Sequence, residues 1–202
     1  MKLLSFNKLC LASRSPRRQQ LLEQIGVDFV TEPANIDESM LANELSDDFV
    51  QRLAISKAQA IWNKKSYSRK YPVLGSDTIV VSQSQVLGQP RDRADGIAML
   101  QSLSASTHSV LTAVALVFSD KIDCAISKST VTFRAITAAE IADYWSTGEG
   151  HDKAGCYAVQ GKAASFIENI NGSFSGVMGL PLFETCQLLD RWNIHYWMSD
   201  KS

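Results

Sequence analysis

The order of apolar and polar positions predicts a chain in which short strands and helices mix. Lys8–Ala12 is an apolar run of strand length. Behind it Ser13-Arg14-Ser15-Pro16 leads into RRQQLLEQIG. Ser15 stands at the N-cap, Pro16 at the first helical position and Gly26 just past the end, with Leu21, Leu22 and Ile25 on the inner side. The chain therefore opens as strand, tight turn, helix. Asp28 to Val30 reads as a second strand and ANIDES as a polar loop. Ser46 is placed to cap a longer helix from Asp47 to about Asn63, where Phe49, Val50, Leu53, Ala54, Ala58 and Ile61 recur at helical spacing.

From Pro72 to Val81 two apolar, β-branched runs are broken by a small polar segment, the pattern of a buried strand interrupted at a site. A turn at Ser82–Gln85 before Val86-Leu87 predicts a hairpin, and Asp92 caps a helix through Met99, Leu100 and Leu103. Two long strands, Ser109–Phe118 and Ile122–Ile136, flank Ser119, Asp120 and Lys121, which favours an antiparallel pair. Thr137 with Glu140 forms a capping box for a helix ending near Gly148. Beyond it Ala163–Ile170 reads as strand, Asn171-Gly172 as turn and Pro181–Trp192 as the last helix. Without strict alternation, the class is α/β or α+β with a mixed sheet. No repeat, linker or low-complexity tract divides residues 1–202, so the expectation is one domain or two tightly joined lobes, with no readable boundary.

Composition narrows the function classes. An apolar fraction of 45% with 20% charged residues is that of a globular chain. Twenty Lys plus Arg against 21 Asp plus Glu leave a net charge of −1, so no global field recruits nucleic acid or an anionic membrane. No apolar run approaches the roughly 20 residues that span a bilayer. Asn7 and Lys8 split the apolar residues of MKLLSFNKLCLA into clusters too short for a secretion signal, so a cytoplasmic location is expected. Four cysteines without a CxxC, and only three histidines, support buried free thiols over a disulfide framework or a zinc site.

Three segments carry candidate chemistry. In SRSPRR, Arg17 and Arg18 fall in the first turn of a helix, where cations are disfavoured by the dipole and where a phosphate would offset that cost. The alternative is a solvated arginine pair beside an ordinary cap, and no P-loop is present. In Gly75-Ser76-Asp77-Thr78 a carboxylate lies between apolar runs. It is either hydrogen-bonded into structure, or a metal ligand or general base. Glu38 could join it as a second oxygen ligand for a hard cation, or be a surface acid. The third segment, Gly150 to Ala163, gathers glycines with Asp152, Lys153 and Gln160 in the manner of a binding loop, although a plain surface loop has the same composition. His108, His151 and His195 lack ligand spacing. Trp192, Tyr196 and Trp197 suit either core or a partner surface.

Together LASRSPRRQQLLEQIG, LGSDTIVV, GQPRD, LTAVALV, HDKAGCYAVQG and INGSFSGVMGLPLFET resemble the Maf family of nucleoside triphosphate pyrophosphatases, in family order from about Lys8 to Leu189. The resemblance implies an elongated α/β fold with a mixed sheet, flanking helices and a central cleft, similar to the inosine triphosphatase architecture. It implies hydrolysis of a nucleoside triphosphate to the monophosphate and pyrophosphate with a divalent cation, Mg²⁺ or Mn²⁺. SPRR, SDT and the Gln of YxxQG match the branch directed to dTTP and UTP. Members directed to 7-methyl-GTP carry a tryptophan before the arginine, a Gln after the Asp and a Glu in the last segment, none of which occurs here.

Carried over by position, Asp77 matches the family's proton acceptor and a metal contact, and Arg17, Thr78 and Gln160 match its specificity positions. Ser13, Arg18, Glu38 and Lys57 fall where the family gathers phosphate and metal contacts. Gln89 stands where many relatives have Lys, removing one cation from the implied phosphate side, and Arg91 is a candidate replacement. Arg14, where relatives often have a small residue, is tolerable if it faces solvent. The resemblance also implies a homodimer. The competing class is a non-catalytic regulator of septum formation, and a nucleic-acid-binding domain is disfavoured by the charge.

Overall fold

A computed structural model describes residues 5–197; the Leu3-Leu4 part of the first apolar cluster lies outside them. Strand β1 (Leu9–Leu11) is followed by α1 (Pro16–Gln24), β2 (Phe29–Thr31) and α2 (Ser46–Trp62). Strand β3 (Val73–Ser82) then turns into β4 (Gln85–Leu87), and α3 (Arg93–Leu103) leads to β5 (Thr107–Phe118) and β6 (Lys121–Phe133). The chain ends with α4 (Ala138–Ser146), β7 (Ile167–Asn171), α5 (Phe174–Met178) and α6 (Leu182–Arg191). The seven strands form one mixed sheet in the order β2-β1-β3-β5-β6-β7, with β4 paired to β3. Strand β1 is parallel to both neighbours, pairing Leu9 with Phe29 and Leu11 with Leu74. The class is α/β.

Most elements form where local chemistry places them. Ser15 takes the N-cap position with Pro16 behind it. Asp92 accepts from the Asp95 amide at the start of α3, and the Thr137–Glu140 capping box closes α4. The β3–β4 hairpin pairs Val81 with Val86, and Gln83 and Ser84 both have positive φ, as a two-residue turn matched to the strand twist requires.

Four differences have physical causes. Helix α2 begins at Ser46 with Leu45 as its N-cap, so Ser46 is a first-turn residue rather than the cap. Strand β3 runs unbroken through Gly75-Ser76-Asp77 because its polar side chains find buried partners elsewhere in the chain. Lys162–Phe166 is a 3₁₀ turn instead of strand, since the Glu149 carboxylate takes the Lys162 and Ala163 amides out of any ladder. The short α5 carries no apolar repeat to announce it. Ser173 Oγ accepts from the Gly176 amide at its start.

The chain divides into two compact units. The first holds residues up to Asp77, Thr112–Ile126 and the stretch from Gly179 onward; the second holds Thr78–Leu111 and Ser127–Met178. In the first, α2 and β1 share a cluster of Cys10, Ala12, Ala58, Ile61, Val73 and Val117. Trp192 is buried in this unit, its Nε1 donating to Asp123, whereas Trp197 is exposed. In the second unit Val131, Phe133, Tyr144, Tyr157 and Phe166 lie in one core cluster with Cys156. All four cysteines are free thiols; Cys10 and Cys156 are buried, while Cys124 and Cys186 are half-buried. No helix among the described residues is long and apolar enough to cross a membrane.

His108 is buried in the second core, its Nε2 2.9 Å from Tyr157 Oη and its ring edge-on to Phe133. Burial holds its imidazole down at about 4. An unfolded histidine takes its proton near 6.5, so between these values the unfolded chain binds more protons and stability falls as pH falls. From pH 7.5 to 5 this group removes about 2 kcal/mol. His108→Gln, which can still bond Tyr157 but does not titrate, should lose that much less over the same interval in denaturant unfolding. An unchanged difference would remove His108 as the source.

Candidate active site

The site in the first unit starts from a helix stripe. In α2, Val50, Leu53, Ala54, Lys57, Ala58 and Ile61 follow helical spacing and all are buried, so Lys57 lies on the core face. A buried ammonium needs a partner. It finds one because β3 approaches α2 closely at Gly75, where a Cβ would lie 2.2 Å from Ala54 O and 2.8 Å from Ala58 N. Only glycine fits this crossing, and two residues along the strand Asp77 meets the Lys57 side chain. Lys57 Nζ donates to Asp77 Oδ1 at 2.6 Å and pairs with Glu38 Oε1 at 3.0 Å. Asp77 is only 5% exposed, while the Glu38 side chain is about half exposed at 54%. One cation thus draws together two carboxylates, one buried and one open to solvent.

A second set of contacts ties the start of α1 to the same unit. Arg18 Nε donates to Gly179 O at 2.8 Å and Nη1 to Ser13 Oγ at 3.3 Å. Ser13 Oγ also accepts from the Ser15 amide at 3.1 Å, which fixes the turn between β1 and α1. Ser76 Oγ lies 2.9 Å from Ala113 O and 3.0 Å from Gly179 O, so its one proton is shared between two carbonyls, and Gly179 O also accepts from Arg18. Ser15 makes no side-chain cap bond, and no acid occupies the first turn of α1, where Arg17 and Arg18 stand. Arg14 is exposed, as its tolerance required.

Electrostatics sets the state of Asp77. Burial pushes its carboxyl above the ordinary carboxylate range, against the pull of Lys57 and Arg18. Arg18 is destabilised as a cation by burial, and the Asp77 charge opposes that loss. The result is a carboxylate with more basicity than a surface aspartate, kept close to positive charge.

Residues 8–192 match the Maf family, described as Maf-like protein. The chain belongs to the Maf family. It is 50% identical over 189 residues to a dTTP/UTP pyrophosphatase of Alkalilimnicola ehrlichii, covering 92% of this chain and 93% of that protein. Proteins of the same name from Pseudoalteromonas atlantica and Saccharophagus degradans are 48% and 47% identical. The first alignment covers 92% of this chain and 97% of the relative, the second 95% and 91%.

Of the positions singled out by the Maf motifs, the first unit brings together Glu38, Lys57 and Asp77, and joins Ser13 to Arg18. Arg17 adjoins Arg18 in α1. Thr78 follows Asp77 in β3 and begins the second unit, which also carries Gln160, exposed at a loop corner. Gly150–Ala163 is not a plain surface loop, since Cys156, Tyr157 and Val159 are buried in the second core. Arg91 gives no sign of replacing the Lys absent at Gln89: its side chain is 83% exposed and forks onto Asp95 through Nε and Nη2, both at 3.1 Å. His151 stacks on Trp145 and His195 bonds Ser5, and the described residues contain no group of three metal-ligating side chains. Ser76 and Gly179 join the site without having been singled out by role. Ser76 had one visible signal, a hydroxyl inside an apolar strand.

If Lys57 holds Asp77 in its charged form, Lys57→Met should raise the Asp77 carboxyl further. A raised carboxyl means that the folded protein binds the proton more tightly than the unfolded chain. The variant should therefore lose stability as pH rises through that value. Carbon-detected NMR titration of the Asp77 carboxyl measures the shift, and an unmoved titration would show that the pair does not control it.

Proposed function

We propose that this chain hydrolyses dTTP and UTP to the corresponding monophosphate and pyrophosphate. The observation that carries the reading is the buried Asp77 carboxylate, raised in basicity by burial and held by Lys57 beside Glu38, in a chain about half identical to proteins named for that activity. In the reaction a water oxygen bonds to the α-phosphorus while Asp77 takes its proton. The bond from that phosphorus to the bridging oxygen breaks, and pyrophosphate leaves with the electron pair. Arg17 and Arg18, in the first turn of α1, add cationic donors where the helix amides already favour an anion, and Ser13 orients Arg18. Lys57 neutralises charge at the base.

The donor set suits a divalent cation that arrives on the triphosphate. Glu38 and Asp77 are hard oxygen donors drawn toward one point, and two carboxylates plus phosphate oxygens and waters are the usual surroundings of Mg²⁺. When bound, Mg²⁺ or Mn²⁺ would supply charge neutralisation along the phosphates. Thr78 and Gln160 serve base choice in this reading. A Gln amide accepts from the pyrimidine N3–H and donates to O4, the pattern shared by uracil and thymine. We infer a cytoplasmic homodimer acting on free nucleotides, without nucleic acid or membrane as partner.

Pyrophosphate release across a panel of nucleoside triphosphates, with Mg²⁺ or Mn²⁺, tests the activity; silence on every nucleotide would end it. Asp77→Asn should lower turnover by roughly 100-fold or more. Glu38 remains to pair Lys57, so the thermal midpoint should move by only a few degrees. Near wild-type turnover in the folded variant would remove Asp77 as the base.

Gln160→Glu should weaken kcat/KM for UTP and dTTP more than for CTP, by a relative shift of about 1–3 kcal/mol, because a carboxylate repels the carbonyl O4. Turnover on any nucleotide still bound should survive better than in the Asp77 variant. Equal losses on UTP, dTTP, CTP and GTP would mean that Gln160 supports the loop rather than the base.

A further inference from the structure

An amide reads a base edge selectively only if it is presented at a fixed distance and angle, because a Gln side chain has a nearly symmetric outline with opposite hydrogen-bonding halves. If Gln160 selects uracil or thymine, the second unit must fix the backbone from which it projects. The turn that carries it is closed by the Gly161 amide donating to Ala158 O at 3.1 Å, with Val159 and Gln160 at its centre. Val159 points into the core and Gln160 is exposed. Both ends of this turn run to one side-chain pair. Lys162 N donates to Glu149 Oε2 at 2.9 Å and Ala163 N to Glu149 Oε1 at 3.2 Å. On the other side Ala158 N donates to Tyr144 Oη at 3.3 Å, and that hydroxyl donates to Glu149 Oε1 at 3.0 Å. Gly161 is pressed against the carboxylate, where a Cβ would lie 2.3 Å from Oε2.

We propose that Glu149, acting with Tyr144, is a positioning residue for base selection: it clamps both ends of the Ala158–Gly161 turn and so fixes the backbone position from which the Gln160 amide reaches N3–H and O4. The inference rests on the reading of Gln160 given above. Tyr144 is suited to the task because it projects from the inner face of α4, a helix fixed at its start by the Thr137–Glu140 box, and is only 4% exposed. Glu149 stays ionised in this setting. Burial pushes its carboxyl up, but the Lys162 and Ala163 amides and the Tyr144 hydroxyl outweigh it and leave the group below its ordinary value. A carboxylate that accepts three hydrogen bonds defines a direction for each donor, which one neutral contact would not do.

The test uses the full chain as wild type, Glu149→Gln, Tyr144→Phe, Gln160→Ala and the double variant Glu149→Gln/Gln160→Ala. Its readout is the ratio of kcat/KM for UTP over CTP, with the thermal midpoint as control for folding. Glu149→Gln replaces one acceptor oxygen by a donor facing an amide, and should lower the ratio about tenfold, chiefly through KM. Tyr144→Phe should lower it less. The double variant should match Gln160→Ala, since a clamp has nothing to hold once the amide is gone. A ratio that collapses in Gln160→Ala but stays at the wild-type value in Glu149→Gln and Tyr144→Phe would overturn the clamp and leave the base reading intact. Losses that multiply in the double variant would also overturn it, because Glu149 would then act on its own. A ratio unmoved in Gln160→Ala would overturn the base reading and the clamp with it. If Glu149→Gln fails to fold, Tyr144→Phe, which removes one hydroxyl, decides the same question.

Discussion

A charged pair inside a close-packed interior is costly unless each member is held, and the Lys57–Asp77 pair shows what holding requires. The ammonium comes from the core stripe of α2 and the carboxylate from the middle of β3. Neither element is shaped for the other without Gly75, whose missing side chain lets strand and helix touch. Removing one partner of such a pair strands the other, with costs of about 3–5 kcal/mol when nothing else compensates. Here Glu38 compensates on the solvent side, and Arg18 adds positive charge from α1. Burial raises the basicity of Asp77 while Lys57 and Arg18 pull it back, so the contact that makes the pair tolerable also limits that rise.

Around it the polar atoms are accounted for by backbone. Ser76, next to Asp77, reaches two carbonyls, and one of them, Gly179 O, also receives Arg18. A hydroxyl in an apolar strand is expensive when unpaired and nearly neutral when paired. Strand β3 therefore carries Ser76 and Asp77 through the interior without a break. The second unit solves a similar problem with one carboxylate, Glu149, which gathers donors from a helix and from a loop.

Much of the fold was legible because its signals are local. Ser15-Pro16, Asp92, the Thr137–Glu140 box and the Ser82–Gln85 turn each specify a boundary within a few residues, and those elements lie where the pattern put them. The continuity of β3 was not legible, since what closes its polar gap sits 20 residues away at Lys57, 37 at Ala113 and 103 at Gly179. The 3₁₀ turn at Lys162 was hidden for the same reason, its amides being claimed by Glu149. For the site, Asp77 announced itself as a charge within an apolar run. Lys57 carried an equal signal, a charge on the apolar stripe with Leu53, Ala54 and Ile61, but the periodic reading passed over it and only the family motifs pointed there. Exposed Glu38 and Gln160 had only weak local marks, a polar loop and a glycine-rich segment that surface positions share.

The contact between Arg18 and Gly179 spans 161 positions of chain. Such long-range closure is slow in folding terms, because the entropy of the loop is lost before the contact returns anything. It also orders events during synthesis. The first unit takes residues from the beginning, the middle and the end of the chain, so α1 and the Asp77 strand leave the ribosome long before the segment that secures them. A nascent or truncated chain ending before Gly179 would hold the aspartate and the arginines without the carbonyl that fixes Arg18 and Ser76. The surroundings of Asp77 and Arg18 thus take their final form only after Gly179 has been made.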